Sequence, residues 1–539
     1  MGDRVTARER YLASRVLDAL LREDYGGLAG RITRSKDGVA LVLTGGRRVR
    51  LVPGSLFQDF VVAPEEALGL REVLATLREV APPEDGPGIE AFARECGQAL
   101  RALDLHAAHR ERVLGLLASA EPGARLRAVR YETLAAFVDH PVYPTARCRN
   151  GLSDEELTAY APEFAPSFAL RWAAVPRERV SGAAMPYAPG FAEVGLAPSL
   201  ARTHVLFPVH PLTVPVVEEI PWAIVGARPY LEVRPTLSTR TVALDAGTHV
   251  KLPLPTSTLG LRNRRSIKPG TLADGARAEL LLRGLPHQGV LLADEQTYGH
   301  AGHEYLGWLV RRLPPGEIVP VAALAAPTPS GVPVVEELAG RWYGGDVAAL
   351  LGDYLRLLFG FQVRLFVRYG TALEAHQQNL ALVLGDGPAR LLVKDNDGLL
   401  TSPDRLLAAG VAVPDFTDER MLTDDPHALA DVFVTITLHL AAAAVAFCAL
   451  PPVQASRLVR DTLGEALAEY GEDPMARLLR ARTLEAARLV GKSMIIAGTL
   501  VDKARTGARD VNKYYGTSGP NYLRHPPQAI QNMTMRRTP

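Results

Sequence analysis

The chain has 539 residues, 47% of them hydrophobic and 22% charged, so it can build substantial cores and has room for roughly three to four domains. Its 60 basic and 59 acidic residues leave a net charge of +1, which removes any bulk electrostatic reason to expect nucleic acid as a partner. The three cysteines, Cys96, Cys148 and Cys448, lack metal-type spacing, so the expectation is no disulfide framework and a reducing cytoplasm.

Met1 leads directly into a charged helical pattern, so no signal peptide is expected. Residues 7–22 repeat Leu, Val and Ala at three- and four-residue spacing and predict an amphipathic helix. Residues 38–52 alternate around Gly45-Gly46 and predict a short hairpin. A loop at 82–88 precedes helices over 89–119 and 124–138. This first region reads as mostly helical and ends near residue 160. Within it, the stretch 140–151 (His-Pro-Val-Tyr-Pro-Thr-Ala-Arg-Cys-Arg-Asn-Gly) holds two prolines that exclude regular structure. The loop carries His140, Arg147 and Arg149, either facing an anion or simply covering a connection.

From 160 to 340 the pattern is mainly β with short helices. Residues 230–244 read as a strand, 245–247 as a turn and 248–254 as the return. Centring this hairpin on Ala246 sets Thr241 opposite Lys251 and gathers Ser238, Arg240, Thr241 and Lys251 in one patch. Ser238 and Arg240 share one face and Thr241 and Lys251 the other, so a twist or bulge is needed for all four to meet one ligand. Hydroxyls with Lys and Arg are what phosphate oxygens require, although an exposed strand carries the same residue types. Thr258 and Arg262 fall on one face if their segment is helical. His300-Ala-Gly-His303-Glu304 has metal-like spacing, without the metalloprotease order, in a stretch that reads as a Gly-rich loop. Pro-rich segments at 314–316 and 325–333 mark a boundary, with a new domain from about 345.

Residues 346–368 predict a strongly apolar helix. Next comes Tyr369-Gly-Thr-Ala-Leu-Glu374-Ala-His376-Gln-Gln378-Asn379, then an apolar hairpin with Gly385-Asp-Gly-Pro388 as its turn, then Lys394-Asp395-Asn-Asp397-Gly398. Centring the hairpin on Asp386 and Gly387 sets residue 379 opposite 394. Glu374, His376, Gln378, Asn379, Asp395 and Asp397 then meet at one open end. Carboxylates and amides beside a His suit a metal-bound phosphate, and equally a polar hairpin end in solvent. Helices are expected over 428–450, 454–471 and 474–505. The apolar run 440–450 is too short to span a membrane and reads as a buried helix. Gly491-Lys492-Ser493 resembles the end of a phosphate-binding loop, but Ala486 stands where that loop needs glycine. The tail from Thr506 is basic and aperiodic.

Taken together, these patches resemble the siderophore synthetases that act independently of non-ribosomal peptide synthetases, the aerobactin-synthetase type, across essentially the whole chain. The 140–151 loop is similar to the family's His-Pro-x-His-Pro-x-x-Lys-x-Arg-x-Gly, with Tyr143 for the second His and Arg147 for Lys. Ser238-Thr-Arg240-Thr241 matches Ser-x-Arg-Thr. Lys251, Thr258 and Arg262 resemble Lys…Thr-x-x-x-Arg, one residue shorter between Lys and Thr. Glu374-Ala-His376-Gln-Gln378-Asn379 is the most specific match. Lys394-Asp395-Asn-Asp397-Gly398 stands for Arg-Asp-x-x-Gly, and Lys503-Ala504 for a C-terminal Lys-Ala.

The resemblance implies an α+β fold shaped like a hand: a helical thumb (1–160), β-rich fingers (161–343) and a helix-rich palm (344–539) with a β-hairpin in the ATP site. It implies an ATP- and Mg²⁺-dependent ligase, usually dimeric, that adenylates a carboxylic acid, most often citrate. An amine or hydroxylamine then takes the acyl group, giving an amide or ester. Ser238, Arg240, Thr241, Lys251, His140, Arg147, Gln378, Asn379 and Asp395 are the expected ATP contacts. Asp395, Asp397 and Glu374 are the expected metal ligands. His376, Arg262, Thr258 and Lys503 are expected at the acid. No side chain needs to act as a covalent nucleophile.

Two other classes remain open from the residues. One is a small-molecule kinase, since His376-x-x-Asn379, a hairpin and Asp395-x-Asp397-Gly398 have the layout of a kinase catalytic loop and metal loop. No kinase-type Gly-rich loop or Val-Ala-Ile-Lys strand precedes them. The other is a non-catalytic siderophore or citrate binder.

Overall fold

The computed structural model describes residues 5–54, 56–119, 124–508 and 513–526. The helix Ala7–Arg22 forms where its periodicity predicts, with Thr6 as cap accepting from the Glu9 amide at 3.1 Å. It packs on a four-stranded meander of β1 (Ile32–Ser35), β2 (Gly38–Val42), β3 (Arg48–Pro53) and β4 (Phe60–Val62). Asp18 fastens helix to sheet by accepting from the Val62 amide at 2.7 Å. The first region is therefore less helical than its sequence suggests. Strands β1 and β4, of four and three residues, are too short for their alternation to register. The helices Gly86–Ala118 and Arg130–Ala135 follow, and the 140–151 loop is irregular as its prolines require.

The middle of the chain builds a nine-stranded sheet. Its members are β5 (Phe168–Pro176), β6 (Ser181–Gly182), β7 (His204–Val209), β8 (Ile224–Val225), β9 (Tyr230–Pro235), β10 (Thr241–Ala243) and β11 (Thr248–Lys251), joined by two strands from beyond the helix Pro269–Arg283. After that helix, β12 (Val290–Leu292) lies in a different sheet, and the chain crosses at once into β13 (Asp294–His303) and β14 (Leu306–Arg312), which return to the nine-stranded one. The His300–Glu304 stretch is thus a strand end and its turn rather than a loop. Glu304 is bonded to Arg264 at 2.8 Å, and no group of three metal-type side chains occurs among the described residues.

A third sheet has the order β12, β18 (Arg390–Val393), β17 (Leu380–Leu384), β15 (Glu317–Pro320). It rests on the buried helix Val347–Tyr369. The run Pro426–Ala449 is 24 residues long and, with mean hydropathy 2.2 in its most apolar stretch, long and apolar enough to cross a membrane; 83% of that stretch is buried inside the protein, as a core helix is. The expected helix over 474–505 stops at Arg482. Residues Arg488–Lys492 instead form β20, pairing with β21 (Tyr515–Pro520) from the tail; β16 (Thr371–Ala372) and β19 (Leu400–Thr401) make a separate small pair. A partner that lies beyond residue 514 leaves no trace in local periodicity, so the strand read as helix.

Three cores result. One joins Ala7–Arg22, the meander and the start of Gly86–Ala118, with Tyr143, Cys148, Ile495 and Leu500 reaching in from elsewhere. A second lies under the nine-stranded sheet around Trp172 and Trp308. The largest surrounds Val347–Tyr369 and Pro426–Ala449 and takes in Val129, Leu134 and Phe137 from the first part of the chain.

Candidate functional site

Both hairpins have the register that their turns predict. Thr241 pairs with Lys251 in β10–β11. Leu380 pairs with Val393 in β17–β18, and the Lys394 amide donates to the Asn379 carbonyl at 3.0 Å. The strand expected over 230–244 is broken between β9 and β10, with Thr239 in the left-handed region at φ 64°. That turn supplies the bend that Ser238, Arg240, Thr241 and Lys251 need to face one ligand. Ser238 stabilises it, its hydroxyl accepting from the Thr241 amide at 3.1 Å. The segment carrying Thr258 and Arg262 is not helical: Leu259 (φ 55°) and Gly260 (φ 110°) bend it against Gly498.

Every residue expected at the site lines one cavity of about 910 Å³: His140, Arg147, Ser238, Arg240, Thr241, Lys251, Thr258, Arg262, Glu374, His376, Gln378, Asn379, Asp395, Asp397 and Lys503. The Lys251 ammonium donates to Asp395 at 2.7 Å and to Asp397 at 3.2 Å, joining the two hairpins. Asp395 adopts φ 68°, strained for a residue other than glycine, and its amide is held by Glu295 at 3.0 Å. Glu295 sits where the chain crosses from β12 to β13 and pairs with Arg311, whose guanidinium lies 3.7 Å from Asp395. Burial alone raises the Asp395 pKa, but Lys251, Arg311 and Arg240 outweigh it and hold this carboxylate far below its usual range. Behind the hairpin, buried Lys394 donates to Glu132 at 3.1 Å, and the other Glu132 oxygen accepts from the Leu237 amide at 3.0 Å, bracing the Ser238 turn.

Three further arginines of the cavity, Arg240, Arg262 and Arg265, form no ion pair with a carboxylate among the described residues. Among the described residues Arg240 donates to the Ser266 carbonyl at 3.0 Å, Arg262 to the Ala497 carbonyl at 3.2 Å, and Arg265 to the Thr258 hydroxyl at 2.5 Å. Burial, then crowding by Arg240, pushes Arg265 down to about 9 despite the field of Asp395. A guanidinium so perturbed marks a place short of an anion.

His140 and His376 both turn Nδ1 towards backbone amides, as acceptors from Tyr143 at 3.0 Å and Gln378 at 3.3 Å. Each therefore carries its proton on Nε2. Burial first, then His376, Arg15, Arg22 and Lys492, lower His140 to about 3; burial and Lys492 lower His376 to about 4. Both are neutral donors at physiological pH.

Arg147 is a correction. Its guanidinium bonds Asp139 at 2.7 Å, the carbonyls of Ala136 and Phe137 at 3.1 Å, and His106 at 3.0 Å. It builds the cavity wall, and its donors are committed there rather than to a phosphate. Arg149 is similarly tied to Glu163, at 2.6 Å and 2.9 Å. Lys503 stands exposed at the rim on the short helix Lys503–Thr506. Gly398 lets Glu374 approach closely, since a Cβ there would lie 2.7 Å from its carboxylate.

Sequence reasoning missed Arg265, Glu295 and Arg311, and set Lys492 aside. Lys492 ends β20 and lines the cavity, so this lysine is part of the site by a route other than a phosphate-binding loop. For Mg²⁺, Asp395 and Asp397 fit: two carboxylates converge on one ammonium, and Mg²⁺ takes one or two carboxylates with substrate phosphates and water. Glu374, the third expected ligand, lines the same cavity.

Fold and cavity thus define a mixed helix–sheet protein with a cation-rich cleft between two hairpins. Residues 127–326 match the IucA / IucC family model, and residues 348–503 match that of the ferric iron reductase FhuF-like transporter. Among curated relatives, the uncharacterized protein y4xN of Sinorhizobium fredii is 25% identical over 71% of this chain and 64% of its own. A 2-[(L-alanin-3-ylcarbamoyl)methyl]-3-(2-aminoethylcarbamoyl)-2-hydroxypropanoate synthase of Staphylococcus aureus is 22% identical over 51% of this chain and 52% of its own. The chain therefore spans less than two thirds of either relative. The fold is similar to the petrobactin biosynthesis protein AsbB of Bacillus anthracis, with TM-score 0.72 and 15% identity over 95% of each chain. It is also similar to ATP-bound aerobactin synthetase IucA of Klebsiella pneumoniae, with TM-score 0.67 and 17% identity over 95% of this chain and 99% of that one. Over residues 127–326 the chain is thus similar to the IucA / IucC family, and its fold over nearly its whole length is similar to those of an aerobactin synthetase and a petrobactin biosynthesis protein.

Proposed function

We propose that the protein is an ATP-dependent siderophore synthetase that adenylates a carboxylic acid of the citrate class and joins it to an amine or hydroxylamine. One observation carries this reading: Arg240, Arg262 and Arg265, without carboxylate partners among the described residues, line the same cavity as the Asp395–Asp397 pair. A site that must hold a triphosphate and a carboxylate together needs such a surplus of cations. The relatives support it: one is described as ATP-bound, and the staphylococcal enzyme is named for a 2-hydroxypropanoate bearing two carbamoyl arms.

A carboxylate oxygen attacks the α-phosphorus, the bond to the β-phosphate breaks, and pyrophosphate leaves. The amine nitrogen then attacks the acyl carbon, loses a proton and expels AMP. Ser238, Arg240, Thr241, Lys251, Arg265, Gln378 and Asn379 hold the nucleotide, with His140 donating from Nε2. Thr258, Arg262, His376 and rim-standing Lys503 hold the acid. Asp395 and Asp397 would hold Mg²⁺, which offsets triphosphate charge. The thumb, fingers and palm division is retained, supported by the three largest cores, although residues 129–137 and many between 278 and 339 pack with the palm. A homodimer in a reducing cytoplasm is the assembly we assign, the latter supported by three free cysteines.

The test is product analysis with ATP, Mg²⁺, citrate and hydroxylamine. AMP, pyrophosphate and a hydroxamate are expected. ADP alone would make the protein a phosphotransferase, and no turnover of any acid in a panel would make it a binder.

A further inference from the structure

Tyr143, which stands where the family pattern has its second His, is fully buried. Its hydroxyl donates to Glu95 at 2.9 Å. Glu95 lies on Gly86–Ala118, is 1% exposed, and has no cation partner among the described residues. The oxygen that meets Tyr143 also accepts from the Thr145 hydroxyl at 2.6 Å, and the other accepts from the Thr499 hydroxyl at 3.0 Å. Thr499 accepts in turn from the Leu261 amide at 3.1 Å.

The neighbouring bonds continue the contact. The Arg262 amide donates to the Gly498 carbonyl at 3.0 Å, and its guanidinium to the Ala497 carbonyl at 3.2 Å. A Cβ on Gly260 would lie 2.8 Å from Gly498 Cα, so glycine is required at this approach. Segment 260–262 is therefore laid along 497–499, and 497–499 is fastened to a helix from the far end of the chain. The protons run one way: Leu261 N–H to Thr499 oxygen, Thr499 O–H to Glu95 carboxylate.

We propose that Glu95, Tyr143 and Thr499 are positioning residues for Arg262. They fix the backbone from which its guanidinium enters the cavity, and so set the affinity for the carboxylate of the acid substrate. This rests on the assignment of Arg262 to the acid. It also gives Tyr143 a purpose: it is one of three hydroxyl donors that satisfy a buried carboxylate lacking a cation.

Thr499→Val keeps the shape and removes the hydroxyl, leaving the Leu261 amide without its acceptor. In ATP–pyrophosphate exchange the KM for citrate should rise about tenfold while the KM for ATP stays put. Thr499→Ser should restore it. In an Arg262→Ala background, Thr499→Val should add nothing further to the citrate KM. Tyr143→Phe, a milder change with a rise of about threefold, carries the test should Thr499→Val not fold. Wild-type citrate KM in the folded variants, or full additivity with Arg262→Ala, overturns the positioning role. An unchanged citrate KM in Arg262→Ala itself removes the acid assignment and this inference together. A raised one beside an inert Thr499→Val removes this inference alone.

Discussion

The two walls of the cavity handle charge in opposite ways. On the hairpin wall Lys251, Asp395, Asp397, Arg311 and Glu295 interlock, with every opposite charge within 3.7 Å. On the other wall Arg240, Arg262 and Arg265 meet carbonyls and a hydroxyl. On the first wall every charge named has an opposite charge beside it, so a ligand there must exchange one partner for another. The second is incomplete, and the Arg265 pKa of about 9 registers the cost of burying cations together. An anion arriving there relieves a penalty already present in the fold, so binding free energy should concentrate on that wall.

Breaking the complete wall should have the largest effect. Asp395→Ala removes a proposed metal ligand and strands Lys251 and Arg311, and should lower pyrophosphate exchange by at least about 100-fold, or roughly 3 kcal/mol. Surviving activity would sink the metal assignment. Next comes Lys394→Met. It leaves Glu132 buried without its cation and should cost about 3 kcal/mol in urea unfolding; Glu132→Gln with Lys394→Met should recover part of that. The double variant falling as far as the sum of the singles would mean that the pair is not coupled. Arg265→Ala gives the contrasting result. It should raise the KM for ATP by about tenfold. Because it removes a half-buried cation with no carboxylate partner among the described residues, thermal stability should hold or rise, and a clear fall in Tm would mean that this wall is not short of anions.

The two walls were also unequally legible in the sequence. A two-residue period with an Asp-Ala-Gly turn in one hairpin and a Gly-Asp-Gly turn in the other locates each centre, so Thr241 opposite Lys251 and Asn379 opposite Lys394 follow from counting. Once two registers are known, their polar ends can be matched to a site. Glu295, Arg311 and Lys492 have no such rule. Glu295 comes behind Asp395 through a sheet crossing, and Arg311 and Lys492 reach the cavity through a central strand and a pairing with the tail, all set by distant contacts. Arg265 stood beside the residue chosen, but the assumed helical phase selected Arg262. The positive φ at Leu259 and Gly260 replaced that phase with a bend, and the bend aims both guanidiniums inwards.

His140 tests the same comparison at the smallest scale, because burial, aided by the cations around it, holds it neutral. Its folded pKa of about 3 lies below the ordinary value of 6.5. Burial comes first, and His376, Arg15, Arg22 and Lys492 all disfavour its charged form. Below pH 6.5 the unfolded chain binds a proton that the folded chain refuses, so stability falls as pH drops from about 6.5 towards 3. Above pH 6.5 the group contributes no slope. In His140→Gln the side-chain oxygen can still accept from the Tyr143 amide, and this part of the slope disappears. The Tm difference between wild type and variant should therefore shift in favour of the variant between pH 7.5 and pH 5. A constant difference would mean that His140 takes up its proton in the fold, which requires an anion beside it that the cavity's cationic wall does not supply.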